Sequence, residues 1–210
     1  MNKLQEKALN IVSALEDFYP TPQCGLKWDG DPYKLLIMAI LSAQCTDARV
    51  NIVSETLFKR FPDAKAMGEA DLADIEKEIH SVGLYHSKAK ALKECSSRLT
   101  AVYGGTVPME MKELLTLRGV GRKVANLLRG DIYGLGGIVA DTHCIRISAR
   151  LGLSSGKDPL KTEKTLSKLI PIEKQSDFCH RMVIFGREVC IARSPKCGEC
   201  VLKEYCEYGK

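Results

Sequence analysis

No apolar run in this 210-residue chain extends beyond the seven residues Leu35-Leu36-Ile37-Met38-Ala39-Ile40-Leu41, where a membrane-spanning helix needs roughly 20. The opening Met1-Asn2-Lys3-Leu4-Gln5-Glu6-Lys7 carries charge and lacks an apolar stretch, so no secretory signal is expected and a cytoplasmic location is. Runs of alternating β-branched residues are nearly absent, which argues against a sheet protein. There is no fixed-period repeat and no low-complexity linker, which excludes a solenoid or a tethered array. Tryptophan occurs once, at Trp28 between Gly25 and Gly30, and no role is assigned to it. Charge of one sign is also scarce. Thirty-one Lys and Arg oppose 26 Asp and Glu, a net +5, which is compatible with a nucleic-acid partner without establishing one.

What the chain does contain is helical periodicity and cysteine. Apolar residues recur at three and four positions in Ala8-Leu9…Ile11-Val12…Leu15, in Leu57-Phe58…Phe61 and in Leu72…Ile75…Ile79. Breakers such as Pro20-Thr21-Pro22, Phe61-Pro62-Asp63, Gly104-Gly105 and Gly136-Gly137 separate them. The pattern predicts an all-α protein of about ten short helices. With 45% hydrophobic and 27% charged residues, the length suits one domain or two small lobes. Nine cysteines in a reducing compartment point to metal binding before disulfides.

Two local patterns carry chemistry. Pro108 suits the first turn of a helix through Met111, Leu114 and Leu115; then come Leu117-Arg118-Gly119-Val120-Gly121-Arg122-Lys123 and a second apolar stripe at Val124, Ala125 and Leu128. Two glycines flanking Val120 between helices read as a helix-hairpin-helix: glycine permits the tight turn, and the unpaired N–H groups opening the second helix suit a phosphate oxygen. A plain interhelical turn with solvated Arg122 and Lys123 is the bland reading. The second pattern is Cys190-x6-Cys197-x2-Cys200-x5-Cys206. Four thiolates so close can converge on one metal centre, either a structural zinc or an iron–sulfur cluster. Cys24, Cys45, Cys95, Cys144 and Cys179 are scattered and expected to be small core fillers.

In Leu117-x-Gly119-Val120-Gly121-Arg122-Lys123-x-Ala125-Asn126, Val139-Ala140-Asp141-Thr142-His143, Leu41-Ser42-Ala43-Gln44-Cys45-Thr46-Asp47, Gly83-Leu84-Tyr85 and the C-terminal cysteines, the chain resembles the endonuclease III family of helix-hairpin-helix DNA glycosylases and AP lyases. The likeness spans essentially the whole chain, with the motifs in the family's order. It implies a two-lobed all-α fold: a helical barrel over 25–135 bearing the hairpin, and a second domain of 1–24 plus 136–210. It further implies a [4Fe–4S] cluster on Cys190, Cys197, Cys200 and Cys206, and double-stranded DNA with damaged bases or abasic sites as the partner. A monomer in the cytoplasm at the nucleoid is expected.

The resemblance also distributes roles. Lys123 becomes the amine that attacks the sugar and forms a Schiff base. Asp141, which local pattern alone makes an N-cap before Cys144-Ile145-Arg146-Ile147, becomes the carboxylate that stabilises positive charge on the sugar. Gln44 is expected to fill the void left by a flipped base and Leu84 to wedge the stack, although on sequence alone they read as a buried amide and a core leucine. Arg118, Gly119, Val120, Gly121 and Arg122 are expected on the phosphate backbone, as are Arg193 and Lys196 between the first two cysteines. His143 joins the DNA-contacting set, with a scaffold role favoured over proton transfer. Asp47 and Tyr85-His86-Ser87-Lys88 are expected to line the groove.

The chain departs from the family pattern at two places. Arg118 stands where the hairpin usually has proline, which surrenders a preset φ. Arg129-Gly130-Asp131 replaces a more helix-friendly stretch, and a helical Gly130 costs about 1 kcal/mol against alanine. The expected activity is excision of oxidised pyrimidines from duplex DNA followed by β-elimination. The rivals are a glycosylase of the same superfamily for mismatched or alkylated bases, and a cluster-bearing DNA-binding protein without chemistry.

Overall fold

The computed structural model describes residues 2–208, and these are helical with no strand among them. Eleven α-helices follow in order: α1 (Lys3–Phe18), α2 (Pro32–Leu41), α3 (Asp47–Arg60), α4 (Ala64–Glu69), α5 (Leu72–Ile79), α6 (Tyr85–Tyr103), α7 (Met111–Leu114), α8 (Arg122–Tyr133), α9 (Thr142–Arg150), α10 (Pro159–Leu169) and α11 (Gln175–Glu188). Single 3₁₀ turns lie at Ile172–Lys174, Cys197–Glu199 and Lys203–Tyr205. None of the helices is long and apolar enough to cross a membrane. The chain divides into two compact units, one running from Gly25 to Ile132 and the other joining the stretch up to Cys24 with that from Tyr133 onward.

In the 25–132 unit, α2 is the centre. Asp31 caps it by accepting from the backbone N–H groups of Tyr33 and Lys34, with Pro32 in the first turn. Every residue from Leu35 to Leu41 is buried, so the helix is apolar on all sides because protein surrounds it on all sides. Each leucine, isoleucine and methionine of the stretch contributes on the order of 1.5–3 kcal/mol by leaving water. Helices α4 and α5 pack on the long α6. Gly68 of α4 is required there, since a Cβ would stand 2.9 Å from the backbone nitrogen of Ser97.

In the other unit, one face of α1 (Ala8, Ile11, Val12, Leu15) meets Cys144 and Ile147 of α9, Leu166 of α10 and Phe178, Met182 and Phe185 of α11. Arg181 is buried within it. Its Nε donates to the carbonyl of Tyr19 at 3.0 Å, and Nη1 lies 3.9 Å from Glu16 and 3.8 Å from Asp177. A charge taken out of water needs such partners.

The expected first hairpin helix is shorter than the pattern suggested. Pro108 lies outside it: Val107 and Pro108 are buried in a non-helical segment, and α7 begins only at Met111. Burial of that apolar pair holds the chain extended, overriding proline's fitness for a first helical turn.

Candidate functional site

The hairpin turn is built by a short chain of backbone bonds. The Leu117 N–H donates to the carbonyl of Leu114 and the Val120 N–H to that of Leu117, both at 3.1 Å. Gly119 has φ +83°, and a Cβ there would stand 3.0 Å from Ile40 Cγ2. Glycine is therefore demanded both by backbone and by contact. Gly121 meets nothing within 4 Å of its Cβ position, so the backbone is open to a ligand at the start of α8. Gly121, Arg122 and Lys123 are exposed there, where the helix carries its unpaired N–H groups and positive dipole end. Val120 differs from its neighbours: it is buried and its N–H is already used, so it packs the turn and has no donor to offer a phosphate. Arg118 is exposed, with Nε 3.9 Å from a carboxylate oxygen of Glu94. Gly130 is buried within α8, and Arg129 Nε is buried with no hydrogen-bond partner among the described residues.

Gln44 and Leu84 are neither a buried amide nor a core leucine. Gln44 lies beyond the end of α2 and is exposed; Leu84 precedes α6 and is 60% exposed. Both adopt left-handed backbone, φ +53° and +61°, and with Asp29 they are the positive-φ non-glycine residues among those described. Such conformations cost of order 1–3 kcal/mol and persist where surrounding structure imposes them. The two turns are neighbours, because a Cβ on Gly83 would stand 3.9 Å from the carbonyl oxygen of Gln44. One turn along α6, Lys88 is buried with no hydrogen-bond partner for its amine among the described residues. Burial pushes its pKa down, opposed by the nearby Cys45. Lys88 is thus inside the fold, while Tyr85 is half-buried and His86 and Ser87 are exposed.

Asp141 caps α9 as its local pattern predicts. Its Oδ1 accepts from the backbone N–H of Cys144 at 2.7 Å, which aims the carboxylate rigidly. Two residues on, His143 packs its ring on Gly186, where a Cβ would collide with Nδ1, and Nδ1 lies 3.2 Å from Arg146 Nη2. Burial lowers its pKa below the usual histidine value; Asp141 opposes this, and Arg146 and Arg187 reinforce it.

The C-terminal loop begins where α11 ends. The Lys196 N–H donates to the carbonyl of Val189 at 2.9 Å and closes its first half, leaving Arg193 and Lys196 exposed. No disulfide joins any of the cysteines among the described residues. Burial raises the pKa of Cys200, a backbone hydrogen bond at Leu202 opposes this, and the neighbouring sulfurs of Cys190, Cys206 and Cys197 raise it further, so the other three lie within reach of one sulfur. Four unpaired thiols bearing on each other in a loop without acids at its first turn form a donor set suited to a metal centre. The five others divide: Cys95, Cys144 and Cys179 are buried, the thiol of Cys95 being pushed up to about 12 by burial, whereas Cys24 and Cys45 are half-buried rather than core.

Two loop-holding residues escape sequence reasoning. Arg146 Nη2 donates to the carbonyls of Gly186 (3.1 Å) and Cys190 (2.9 Å), and Arg150 donates to the same loop. Arg146 and Arg150 stand four residues apart on α9, which puts them on one helix face and in sequence looks the same as a solvated basic stripe.

Residues 37–172 match the HhH-GPD superfamily base excision DNA repair protein family, and residues 190–206 match the iron-sulfur binding domain of endonuclease III. Endonuclease III of Synechocystis sp. is 43% identical over 98% of this chain and 94% of its own length. A non-covalent endonuclease III–DNA complex and a trapped endonuclease III–DNA covalent intermediate each superpose with a TM-score of 0.91 at 38% identity, covering 99% of this chain and 96% and 97% of theirs. With its hairpin, its helix-capping Asp141 and its four-cysteine loop all inside the matched stretches, the chain belongs to the endonuclease III family of base-excision DNA repair enzymes and carries that family's [4Fe–4S] cluster.

Proposed function

We propose that this protein is a bifunctional DNA glycosylase and AP lyase that removes oxidised pyrimidines from duplex DNA, acting as a monomer in the cytoplasm at the nucleoid. The observation that carries the reading is Lys123: an exposed amine in the first turn of α8, directly after a glycine-built turn open to a phosphate. Extruding the damaged nucleotide costs a few kcal/mol in lost stacking. Leu84 enters the stack as the wedge and Gln44 fills the void, both being exposed on neighbouring turns. Gly119, Gly121, Arg118 and Arg122 hold the backbone, with Arg193 and Lys196 adding contacts from the loop.

Lys123 Nζ, as the free amine, attacks C1′ while the base departs with the bonding electrons and takes up a proton. The Asp141 carboxylate stabilises the positive charge that develops on the sugar. The proton lost by the amine passes to O4′ as the C1′–O4′ bond breaks and the sugar ring opens, giving the protonated imine at C1′. Removal of a C2′ proton then expels the 3′ phosphate, cleaving the strand, and water releases the sugar from Lys123. Cys190, Cys197, Cys200 and Cys206 hold the cluster, which when bound ties the loop by thiolate–iron bonds. His143, packed on Gly186 and beside Arg146, positions α9.

Replacing Lys123→Gln should abolish covalent trapping on lesion duplexes by borohydride, and trapping at the wild-type level would overturn the assignment. Duplexes carrying thymine glycol, dihydrouracil, mismatched uracil or a plain abasic site test the substrate class. Incision at thymine glycol and dihydrouracil is expected. Preference for mismatched uracil would reassign the chain within its superfamily, and damage-independent binding without incision would make it a DNA-binding protein alone.

A further inference from the structure

Arg150 ends α9 and grips both ends of the four-cysteine loop. Its Nη1 donates to Cys190 Sγ at 3.2 Å and to the carbonyl of Ile191 at 3.0 Å. Its Nη2 donates to the carbonyl of Ala192 at 2.7 Å. On the other side, the Arg150 carbonyl accepts from the Glu207 N–H at 2.8 Å, one residue beyond the fourth cysteine. The guanidinium carbon stands 4.3 Å from the centre of the Tyr208 ring, which adds a cation–π attraction. Glu207 is seated in turn: its carboxylate occupies the space where a Cβ on Gly152 would be, and it pairs with Lys7 at 2.8 Å.

A surface arginine has no need of such an arrangement. Its planar fork is shared between a sulfur and two consecutive carbonyls, which places one cation against one cysteine. When Cys190 is a thiolate bound to iron, the same contact becomes a charge-assisted hydrogen bond. An N–H donor on a ligating sulfur draws electron density away from the metal, and the positive charge stabilises the more electron-rich state of the cluster. Arg146 does not duplicate this, since it reaches the Cys190 carbonyl and not the sulfur.

We propose that Arg150 is the positioning cation of the cluster: it clasps the loop shut across Cys190 and Glu207 and sets how readily the cluster surrenders an electron. The inference rests on Cys190 being a ligand and is independent of which lesion the enzyme removes. Without Arg150, the cluster should lose one electron more easily to a one-electron oxidant such as ferricyanide, which becomes ferrocyanide.

The test uses the purified, cluster-loaded protein and its Arg150→Met and Arg150→Lys variants. Iron content, the midpoint potential for one-electron oxidation and the rate at which ferricyanide bleaches the visible absorption are measured for each. Arg150→Met should shift the potential negative and bleach several-fold faster. Arg150→Lys, which keeps the charge and loses the fork, should fall between. A loaded Arg150→Met protein with the wild-type potential and bleaching rate overturns the proposal. Should Arg150→Met fail to retain iron, Arg150→Lys decides, an unshifted potential again overturning it. Iron content of Cys190→Ser tests the underlying ligand assignment on its own: a full complement of iron there would remove Cys190 from the ligand set, whatever the Arg150 variants show.

Discussion

Leucine is poorly suited to left-handed backbone, yet Leu84 holds φ +61° and ψ +32° with its side chain turned to water. Both features cost stability, and the expected gain lies in the stack of a bent duplex, where an apolar wedge is stabilising. Replacing Leu84→Gly should therefore separate stability from function. Glycine relieves about 1 kcal/mol of backbone strain, worth an increase of roughly 2–4 °C in Tm for a chain of this size. Excision from lesion duplexes should fall at least tenfold because the wedge is gone. A drop in Tm, or unchanged excision, would count against the role. The same conflict between local preference and observed conformation marks Gln44. At neither position did the sequence offer a physical signal for the left-handed turn; the family resemblance pointed to both residues.

Element by element, one helix start was legible in the sequence, the Asp141 cap of α9, and the structure shows the same device repeated at five others. Asn2, Asp31, Thr46, Asp63, Asp141 and Asp158 all accept backbone N–H groups at the first turns of their helices, because a short polar side chain there satisfies a donor that the helix cannot. For α9 this makes two Asp141 variants informative. Asp141→Asn keeps a good cap and loses the charge, so the unfolding free energy should hold within about 0.5 kcal/mol while base excision falls by orders of magnitude. Asp141→Ala should show the same loss of excision and a further loss of about 1 kcal/mol in stability. Equal excision by Asp141→Asn and the wild type would reduce Asp141 to a cap. Pro108 was the reverse case, a residue whose local preference yielded to burial of the segment it sits in.

At the scale of the molecule, a net +5 says little until the cations are placed. Arg193 and Lys196 stand exposed on the cluster loop, and Arg122 and Lys123 at the start of α8. Arg118 faces Glu94 at 3.9 Å, an exposed pair worth little in itself. Binding to a duplex with an uncleavable abasic-site analogue should weaken by about 0.9 in log affinity per phosphate contact for each tenfold rise in salt. Removing both Arg193 and Lys196 by alanine substitution should lower that slope by about 2. An unchanged slope would take the loop out of the DNA contact surface.

The sequence by itself determined the all-α class, the glycine-built hairpin and the cysteine spacing. These depend on periodicity, on φ > 0 and on short loops, all properties of neighbours along the chain. Function came from the resemblance to the endonuclease III family that those motifs carry, and not from the motifs' own geometry. Only the tertiary structure decided which side chains leave the core and which enter it. It exposes Leu84 and Gln44, buries Val120 and Lys88, and turns Arg146 and Arg150 onto the cysteine loop. Burial and charge pairing depend on what packs against a residue from distant parts of the chain, so a basic stripe on α9 and a clasp on a metal loop look the same until the loop is folded against it.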